Sequence, residues 1–191
     1  SNLINNAVDA FEGKEGEIIL KLKADLESIK LEIQDDGRGM PPHIIEKILN
    51  YKQKFSSILI MVQLEYVQRL IAKPHTKDYS SFTLFVNYHA DIKMLFKINR
   101  TAFQPPPKVQ SCFLKLAPKN PTHPTNEKLL FNIIRSAFQQ RRKTIENSLS
   151  SICSKERINP LLKSLNIDHR SRAENLSLED YLRIAEKLAQ G

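Results

Sequence analysis

The stretch nearest the N-terminus that carries ligand-type side chains runs from "NLINN" to "DDGRGM". It contains Asn2 and Asn6 at helical spacing, and later Asp35 followed by Gly37 and Gly39. An Asn carbonyl suits Mg²⁺, a carboxylate accepts a hydrogen bond from an exocyclic amine, and glycine lets the backbone approach a ligand closely. These residue types in this order are typical of a nucleotide-binding turn.

A second stretch, "AFQPPPK", places an aromatic ring beside a stiff backbone. Phe103 precedes three consecutive prolines, and Lys108 follows them. Proline fixes φ, which lowers the cost of ordering such a loop, and an aromatic ring can hold a flipped base by stacking on it. The alternative for Phe103 is a hydrophobic plug at a corner of the fold, and the residues alone leave both interpretations open.

A third stretch, "AFQQRRK", carries Arg141, Arg142 and Lys143 in succession. Three consecutive cations on a predicted helix spread their charge around the helix, which suits a polyanion such as a nucleic-acid backbone. The alternative is a solvated helix face with no partner.

The charge of the whole chain favours the polyanion. Residues 1–50 hold 6 Lys and Arg against 10 Asp and Glu, whereas residues 51–191 hold 23 against 11, and the net charge of the chain is +8. No apolar run is long enough to span a membrane, so the basic part predicts a nucleic-acid partner, with a lysine-rich solubilising surface as the alternative. We expect a cytoplasmic protein whose cysteines, Cys112 and Cys153, stay reduced, and we expect Ser1 to be a cut end.

Glycine is distributed very unevenly. The chain has five glycines, and none lies between Met40 and Gln190. Loops that cradle phosphates or cofactors need glycine for positive φ and close backbone approach. The basic part therefore carries no glycine-rich cofactor loop.

Hydrophobic periodicity predicts the elements that would position these residues. In the acidic part it predicts a helix near residues 2–11, then a β-hairpin with the strands "EIILKLK" and "SIKLEIQ", and then a second helix, "HIIEKIL". In the basic part the short apolar run "FSSILIMVQ" predicts a buried strand, and "DIKMLFKINR" and "KVQSCFLKLAP" predict two more. A helix is predicted at "LEYVQRLIA", and the amphipathic pattern of "SSFTLFVNYHA" is ambiguous but is interpreted as a helix. After the linker "PKNPTHPTN" it predicts one long helix over residues 127–152 and shorter helices near Ile158–Leu165 and Leu178–Leu188, the last with Ser177 as its N-cap.

The first 50 residues carry a resemblance. "NLINNAVDAFEG" and "DDGRGM", joined by a hairpin, resemble the N box and first glycine box of the histidine-kinase-type (GHKL) ATPases. The resemblance implies that Asn6 ligates the Mg²⁺ of Mg-ATP, that Asp35 binds the adenine amino group, and that Gly37 and Gly39 line the ring. The second glycine segment of that family is missing from this chain, so we expect a vestigial half-site that does not bind ATP.

The rest of the chain carries a stronger resemblance. "MVQLEYVQRLIAKPHTKDYSSF", "AFQPPPKVQSCFLKL", "AFQQRRKTIENSL" and "RAENLSLEDYLRIAEKL" resemble, in order and spacing, the small-subunit rRNA adenine-N6 dimethyltransferases of the KsgA type. The resemblance implies that Phe103 stacks on the target adenine and that Lys108, Arg141, Arg142 and Lys143 bind rRNA phosphates. We further expect Arg172 and Glu174 to form a structural ion pair.

The same resemblance implies S-adenosylmethionine as methyl donor, but the motifs that bind it in this enzyme class are missing here. We therefore expect an α/β fold, in which a helix and hairpin precede a partial Rossmann-like, methyltransferase-like sheet, and a small all-α domain follows. The expected boundaries are 1–50 for the ATPase-like segment, 51–118 for the end of the catalytic domain and 119–191 for the helical rRNA-binding domain.

The function expected from these features is rRNA binding by a methyltransferase-family chain that lacks the cofactor half. The alternatives are an ATP-binding module of the sensor-kinase type and a chimera without activity. We also expect self-association, because each half-domain exposes a face that normally has a partner.

Overall fold

The computed structural model describes residues 18–24, 29–35, 42–50, 55–104, 106–120 and 126–190. Asn6, Gly37 and Gly39 lie outside these residues, as does the predicted helix near residues 2–11. Asp35 is the last residue of a described strand.

The predicted hairpin is confirmed. Strand β1, Ile18–Ala24, pairs antiparallel with β2, Ile29–Asp35, in a register that sets Ile18 opposite Asp35 and Ala24 opposite Ile29. Helix α1, Pro42–Asn50, follows and buries Ile45 and Leu49 completely. Its first residue is proline, which suits the start of a helix because proline lacks an N–H and an N–H at that position would have no partner within the helix.

The three predicted strands of the basic part form one sheet. They are β3, Ile58–Gln63, β4, Ala90–Ile98, and β5, Ser111–Pro118, in the order β3-β5-β4, and both pairings are antiparallel. Alternate residues of β3 are buried, as period-two patterning requires for a sheet covered on one face. The remaining edge of β3 pairs with no other strand among the described residues.

Two helices stand between the strands, α2, Leu64–Leu70, and α3, Ser81–His89. Both were predicted, and α3 begins with a capping box in which Ser80 and Thr83 each accept from the other's backbone N–H. They share a hydrophobic core with α1 and the sheet, formed by Ile45, Ile48, Leu49, Ile58, Ile60, Val62, Val67, Leu70, Val86, Ala90, Cys112, Leu114 and Leu116. On the opposite face of the sheet, Leu59 and Phe96 are 52% and 56% exposed.

The C-terminal part is helical, but the prediction of one helix over residues 127–152 is wrong. The structure has α4, Glu127–Gln139, and a single turn, α5, Ile145–Ser148. Between them the backbone pairs with a distant segment: Thr144 forms a β-bridge with Arg172, and the N–H of Ile145 donates to the Ser171 carbonyl at 2.6 Å. The helical conformation of α4 ends at Gln140, whose φ of −121° and ψ of 52° are not helical, and the Ile145 amide, which bonds to Ser171, does not donate to the residue four before it as a continuous helix would require.

The last two helices are α6, Lys155–Ser164, and α7, Leu178–Ala189. Ser177 caps α7 as predicted, and its hydroxyl accepts the N–H of Asp180 at 3.1 Å. A second core, centred on Leu130, Ile134, Ile145, Leu162 and Tyr181, joins the helices. Helix α3 contributes to both cores, since Val86 packs in the sheet core and Leu84 and Tyr88 pack in the helical core. The predicted boundary at residue 119 stays a prediction.

Candidate nucleic-acid interface

The loop between β4 and β5 carries Phe103 and Lys108 at one edge of the sheet. Strands β3 and β4 both run antiparallel to β5, so their carboxyl ends lie at the same edge as this loop. A short 3-10 turn, Arg100–Ala102, begins the loop, and the Asn99 side chain caps it by accepting the N–H of Thr101 at 3.4 Å.

Two contacts fix the loop around Phe103. Arg100 donates from Nη1 to the Lys108 carbonyl at 3.3 Å, which closes the loop across the prolines. The N–H of Leu64 donates to the Gln110 carbonyl at 2.8 Å, which ties the loop to the start of α2. Phe103 is half-buried and Lys108 is exposed. The aromatic ring therefore has one side on the protein and part of its surface in solvent, and its role in stacking stays a prediction.

The turn between α4 and α5 carries the predicted cationic residues. Arg142 and Lys143 are exposed, and the N–H of Lys143 donates to the Gln140 carbonyl at 2.8 Å, which shapes the turn. Neither side chain forms a hydrogen bond or an ion pair with another residue in the part of the chain that the structure describes. Both cations are thus available to an anionic partner.

Arg141 is placed differently. Its Nε and Nη2 both donate to Oε2 of Glu174, at 3.2 and 2.8 Å, and Nη2 also reaches the carbonyl oxygens of Lys77 and Tyr79 at 3.3 and 3.2 Å. The predicted partner of Glu174 was Arg172, and this is wrong, because Glu174 pairs with Arg141. Sequence proximity suggested Arg172, whereas the pairing that forms spans 33 residues.

The segment from Lys73 to Ser80, here the 73–80 loop, is also part of this site, and its lysines Lys73 and Lys77 are exposed. The N–H of His75 donates to the Glu174 carbonyl at 2.8 Å, and its Nδ1 lies 2.8 Å from Nδ2 of Asn175. His75 has a φ of 69°, in the left-handed region that is uncommon for residues other than glycine. This φ is therefore held by the contacts around it.

Buried tyrosines complete the junction between the 73–80 loop and the helical part. The hydroxyl of Tyr79 donates to the Leu176 carbonyl at 3.0 Å, and that of Tyr181 donates to the Ala173 carbonyl at 2.9 Å. Burial raises the pKa of both hydroxyls, and the nearby Asp180 carboxylate raises the pKa further. Both groups therefore stay protonated and remain donors at neutral pH.

The structure thus separates the predicted site residues into two groups. Phe103 and Lys108 share the β4–β5 loop, whereas Arg141, Arg142 and Lys143 share the α4–α5 turn, and no hydrogen bond among the described residues links the groups. Within the described residues no cluster of His, Cys, Asp or Glu could hold a metal ion. No described helix has the length and hydropathy needed to cross a membrane.

The fold is similar to part of the fold of solved methyltransferases. The chain superposes on a dimethyladenosine transferase from Plasmodium falciparum with a TM-score of 0.67, at 23% identity, over 79% of this chain and 65% of that one. It superposes on the 23S rRNA methyltransferase ErmE with a TM-score of 0.56, at 21% identity, over 79% and 63% of the two chains. Residues 40–190 match the sequence profile of the family described as "Ribosomal RNA adenine dimethylase", so the chain belongs to that family.

Individual relatives carry one name. The chain is 38% identical over 148 residues to the ribosomal RNA small subunit methyltransferase A of Clostridium acetobutylicum, which covers 76% of this chain and 54% of that protein. It is 34% identical over 171 residues to the protein of the same name from Protochlamydia amoebophila, over 85% of this chain and 60% of that one. The chain therefore spans about half to three fifths of the length of these relatives.

The described residues do not fit S-adenosylmethionine, the methyl donor that the resemblance implies. Nucleotide-type ligands in such sheets bind at the carboxyl ends of parallel neighbouring strands, beside a glycine-rich loop. The described sheet of three strands has only antiparallel pairs, and residues 42–190 contain no glycine.

Proposed function

We propose that this chain binds small-subunit rRNA through the RNA-facing part of an rRNA adenine dimethyltransferase. The observation that supports this most directly is the α4–α5 turn, where Arg142 and Lys143 project into solvent without an acidic partner among the described residues. A turn with two unpaired cations releases condensed counterions when it meets phosphates, which drives binding to RNA.

Lys108 and Phe103 extend the proposal to the edge of the sheet. Lys108 would contact an RNA phosphate, and Phe103 would stack on an adenine that is flipped out of the RNA helix. The closed loop supports this role, since the Arg100–Lys108 hydrogen bond and the fixed φ of proline lower the cost of ordering the backbone around Phe103.

We propose that this chain alone does not transfer a methyl group. The antiparallel sheet and the absence of glycine from residues 42–190 support this. Calorimetric titration with S-adenosylmethionine, at concentrations that detect sub-millimolar affinity, tests the proposal. A measurable heat of binding would overturn it.

The test of RNA binding is fluorescence anisotropy with a labelled fragment of small-subunit rRNA at several salt concentrations. For the double variant R142A/K143A we expect weaker binding and a shallower slope of log K against log salt, by about one to two units. The matched control is R157A/K163A, which removes one Arg and one Lys from exposed positions of α6. An unchanged slope in R142A/K143A would remove these residues from the RNA contact.

A second candidate function, binding of Mg-ATP, depends on the hairpin that ends at Asp35. The predicted hairpin is present, which favours the ATPase-like origin of the first 50 residues. We propose nevertheless that the half-site of Asn6, Asp35, Gly37 and Gly39 is vestigial, because the sequence has no second glycine segment to wrap a triphosphate. Titration with Mg-ATP tests whether the half-site is vestigial. If the wild type binds Mg-ATP saturably and D35N does not, ATP binding becomes the better-supported function.

We also propose that the outer edge of β3, together with the uncovered face of the sheet beside it, associates with a second copy of the chain. The outer edge of β3 is unpaired among the described residues, and the strand carries no charged residue, no proline and no bulge to protect that edge. Two β3 strands can therefore pair antiparallel without bringing like charges together. Analytical ultracentrifugation tests this proposal. We expect a dimer that is lost in L59K and kept in the control I71K, which changes another exposed apolar position. A wild-type monomer at tens of micromolar would contradict the proposal.

A further inference from the structure

Arg141 stands out from the two cations that follow it because its guanidinium, although its side chain is 42% exposed, is hydrogen-bonded to other parts of the protein. Two of its three nitrogens donate to Glu174, and one of these also reaches the carbonyl oxygens of Lys77 and Tyr79. A guanidinium is planar and has five N–H donors, so one side chain can join several acceptors in a fixed geometry.

These contacts join three separate segments of the chain. Arg141 belongs to the α4–α5 turn, Lys77 and Tyr79 belong to the 73–80 loop, and Glu174 belongs to the 3-10 turn Ala173–Asn175. The contact of His75 with the Glu174 backbone supports the same junction from the side of the loop.

The immediate surroundings of Arg141 are unfavourable for a phosphate. An anion that approached its guanidinium would also meet the carboxylate of Glu174, which lies 2.8 Å from Nη2. Like charges repel at this range. Arg142 and Lys143 have no such acidic neighbour in ion-pair contact among the described residues.

We propose that Arg141 is a positioning residue for RNA binding, and that it acts by fixing the α4–α5 turn against the 73–80 loop. This rests on the proposed function of RNA binding. With the junction closed, Arg142, Lys143 and the exposed Lys77 are held on one preorganised cationic surface. Without it, the turn and the loop move independently, and binding must also order them.

A phosphate contact and a positioning role differ in their salt dependence. Loss of a phosphate contact lowers the slope of log K against log salt by about one unit, whereas loss of preorganisation weakens binding at every salt concentration with the slope unchanged. We therefore expect R141A to bind rRNA about three- to tenfold more weakly with an unchanged slope. For R142A, the matched control in the same turn, we expect a slope reduced by about one unit.

Two further variants separate positioning from charge. Y79F removes no charge but breaks the bond to Leu176 that holds the same loop, so we expect weaker binding with an unchanged slope. The exchange R141E/E174R keeps the net charge and allows the ion pair to form in reverse, so we expect it to recover affinity relative to R141E alone. A reduced slope in R141A, or no recovery in the exchange, would overturn the proposal.

Hydrogen exchange of the free protein distinguishes failure of this proposal from failure of RNA binding. In R141A we expect faster exchange of the His75 amide, which donates to the Glu174 carbonyl, while amides within α7 keep their protection. If the wild-type chain binds no RNA but this local change occurs, the junction exists and only the proposed function fails. Unchanged exchange at His75 would overturn the positioning role itself.

Discussion

The hydroxyl of Tyr79 donates a hydrogen bond to the carbonyl oxygen of Leu176, 97 residues further along the chain, at 3.0 Å. Tyr79 is only 3% exposed, so neither group has water as an alternative partner. This hydrogen bond and the Arg141–Glu174 ion pair make the junction between the 73–80 loop and the helical part polar as well as hydrophobic.

Replacing Tyr79 with Phe should destabilise the protein by about 1–2 kcal/mol, because the buried Leu176 carbonyl loses its donor. Urea unfolding followed by circular dichroism measures the change in free energy. Y66F is the matched control: the hydroxyl of Tyr66 is buried without a hydrogen-bond partner among the described residues, so its removal should be neutral or slightly stabilising. A loss of stability in Y66F equal to that in Y79F would contradict the assignment.

Replacing Phe103 with Ala should weaken binding to single-stranded, adenine-containing RNA by about 1–3 kcal/mol, since one stacking contact is lost. The slope of affinity against salt should stay unchanged, because no charge is removed. Anisotropy titrations of F103A and F103Y measure this, and F103Y should retain most of the affinity. If Phe103 is only a hydrophobic plug, F103A will lose stability without a specific loss of RNA affinity.

The stability of α7 should depend on pH through Asp180. Burial acts to raise the pKa of its carboxyl, but hydrogen bonds from the Ser177 hydroxyl and backbone and the charge of Arg183 outweigh burial and lower the pKa below its ordinary value of 3.8. A lowered pKa in the folded state means that the carboxylate stabilises the fold above pH 3.8 and that this contribution disappears as the pH falls through the lowered value.

Unfolding of the wild type and of D180N between pH 2 and 7 measures this contribution. We expect D180N to be about 1 kcal/mol less stable at pH 7, because the capping box is weakened. The difference in unfolding free energy between the wild type and D180N should shrink toward pH 2. A difference that does not change with pH would exclude the carboxylate as its source.

Asn166 ends α6 in the left-handed region, with a φ of 56°. Its N–H donates to the Lys163 carbonyl at 3.1 Å and that of Ile167 donates to the Leu162 carbonyl at 2.9 Å, which together form a Schellman motif. N166G should therefore be neutral or stabilising by a few tenths of a kcal/mol, whereas N166V should cost about 1–2 kcal/mol. Thermal unfolding of both variants tests the ranking, and equal melting temperatures would contradict it.

Local sequence patterns predicted the helices and strands that are specified by residues close to them in the sequence. The short apolar run in "FSSILIMVQ" identified β3, and Ser177 with Asp180 identified the start of α7, because both signals lie within a few residues. The break after Gln139 was not predictable in this way. Residues 127–152 have helical periodicity throughout, but the chain leaves the helix at Gln140, whose φ of −121° and ψ of 52° are not helical, and the Ile145 amide then bonds to Ser171.

The sequence by itself determined the family, the order of strands and helices along the chain, and the residue types that face RNA in the proposed function. These follow from local spacing and from motifs that each occupy one segment. Only the tertiary structure decided that Arg141 pairs with Glu174 and that Arg142 and Lys143 do not form such a pair among the described residues. Three adjacent cations are chemically similar in the sequence, and their different environments arise only when the 73–80 loop, the α4–α5 turn and the Ala173–Asn175 turn meet in space.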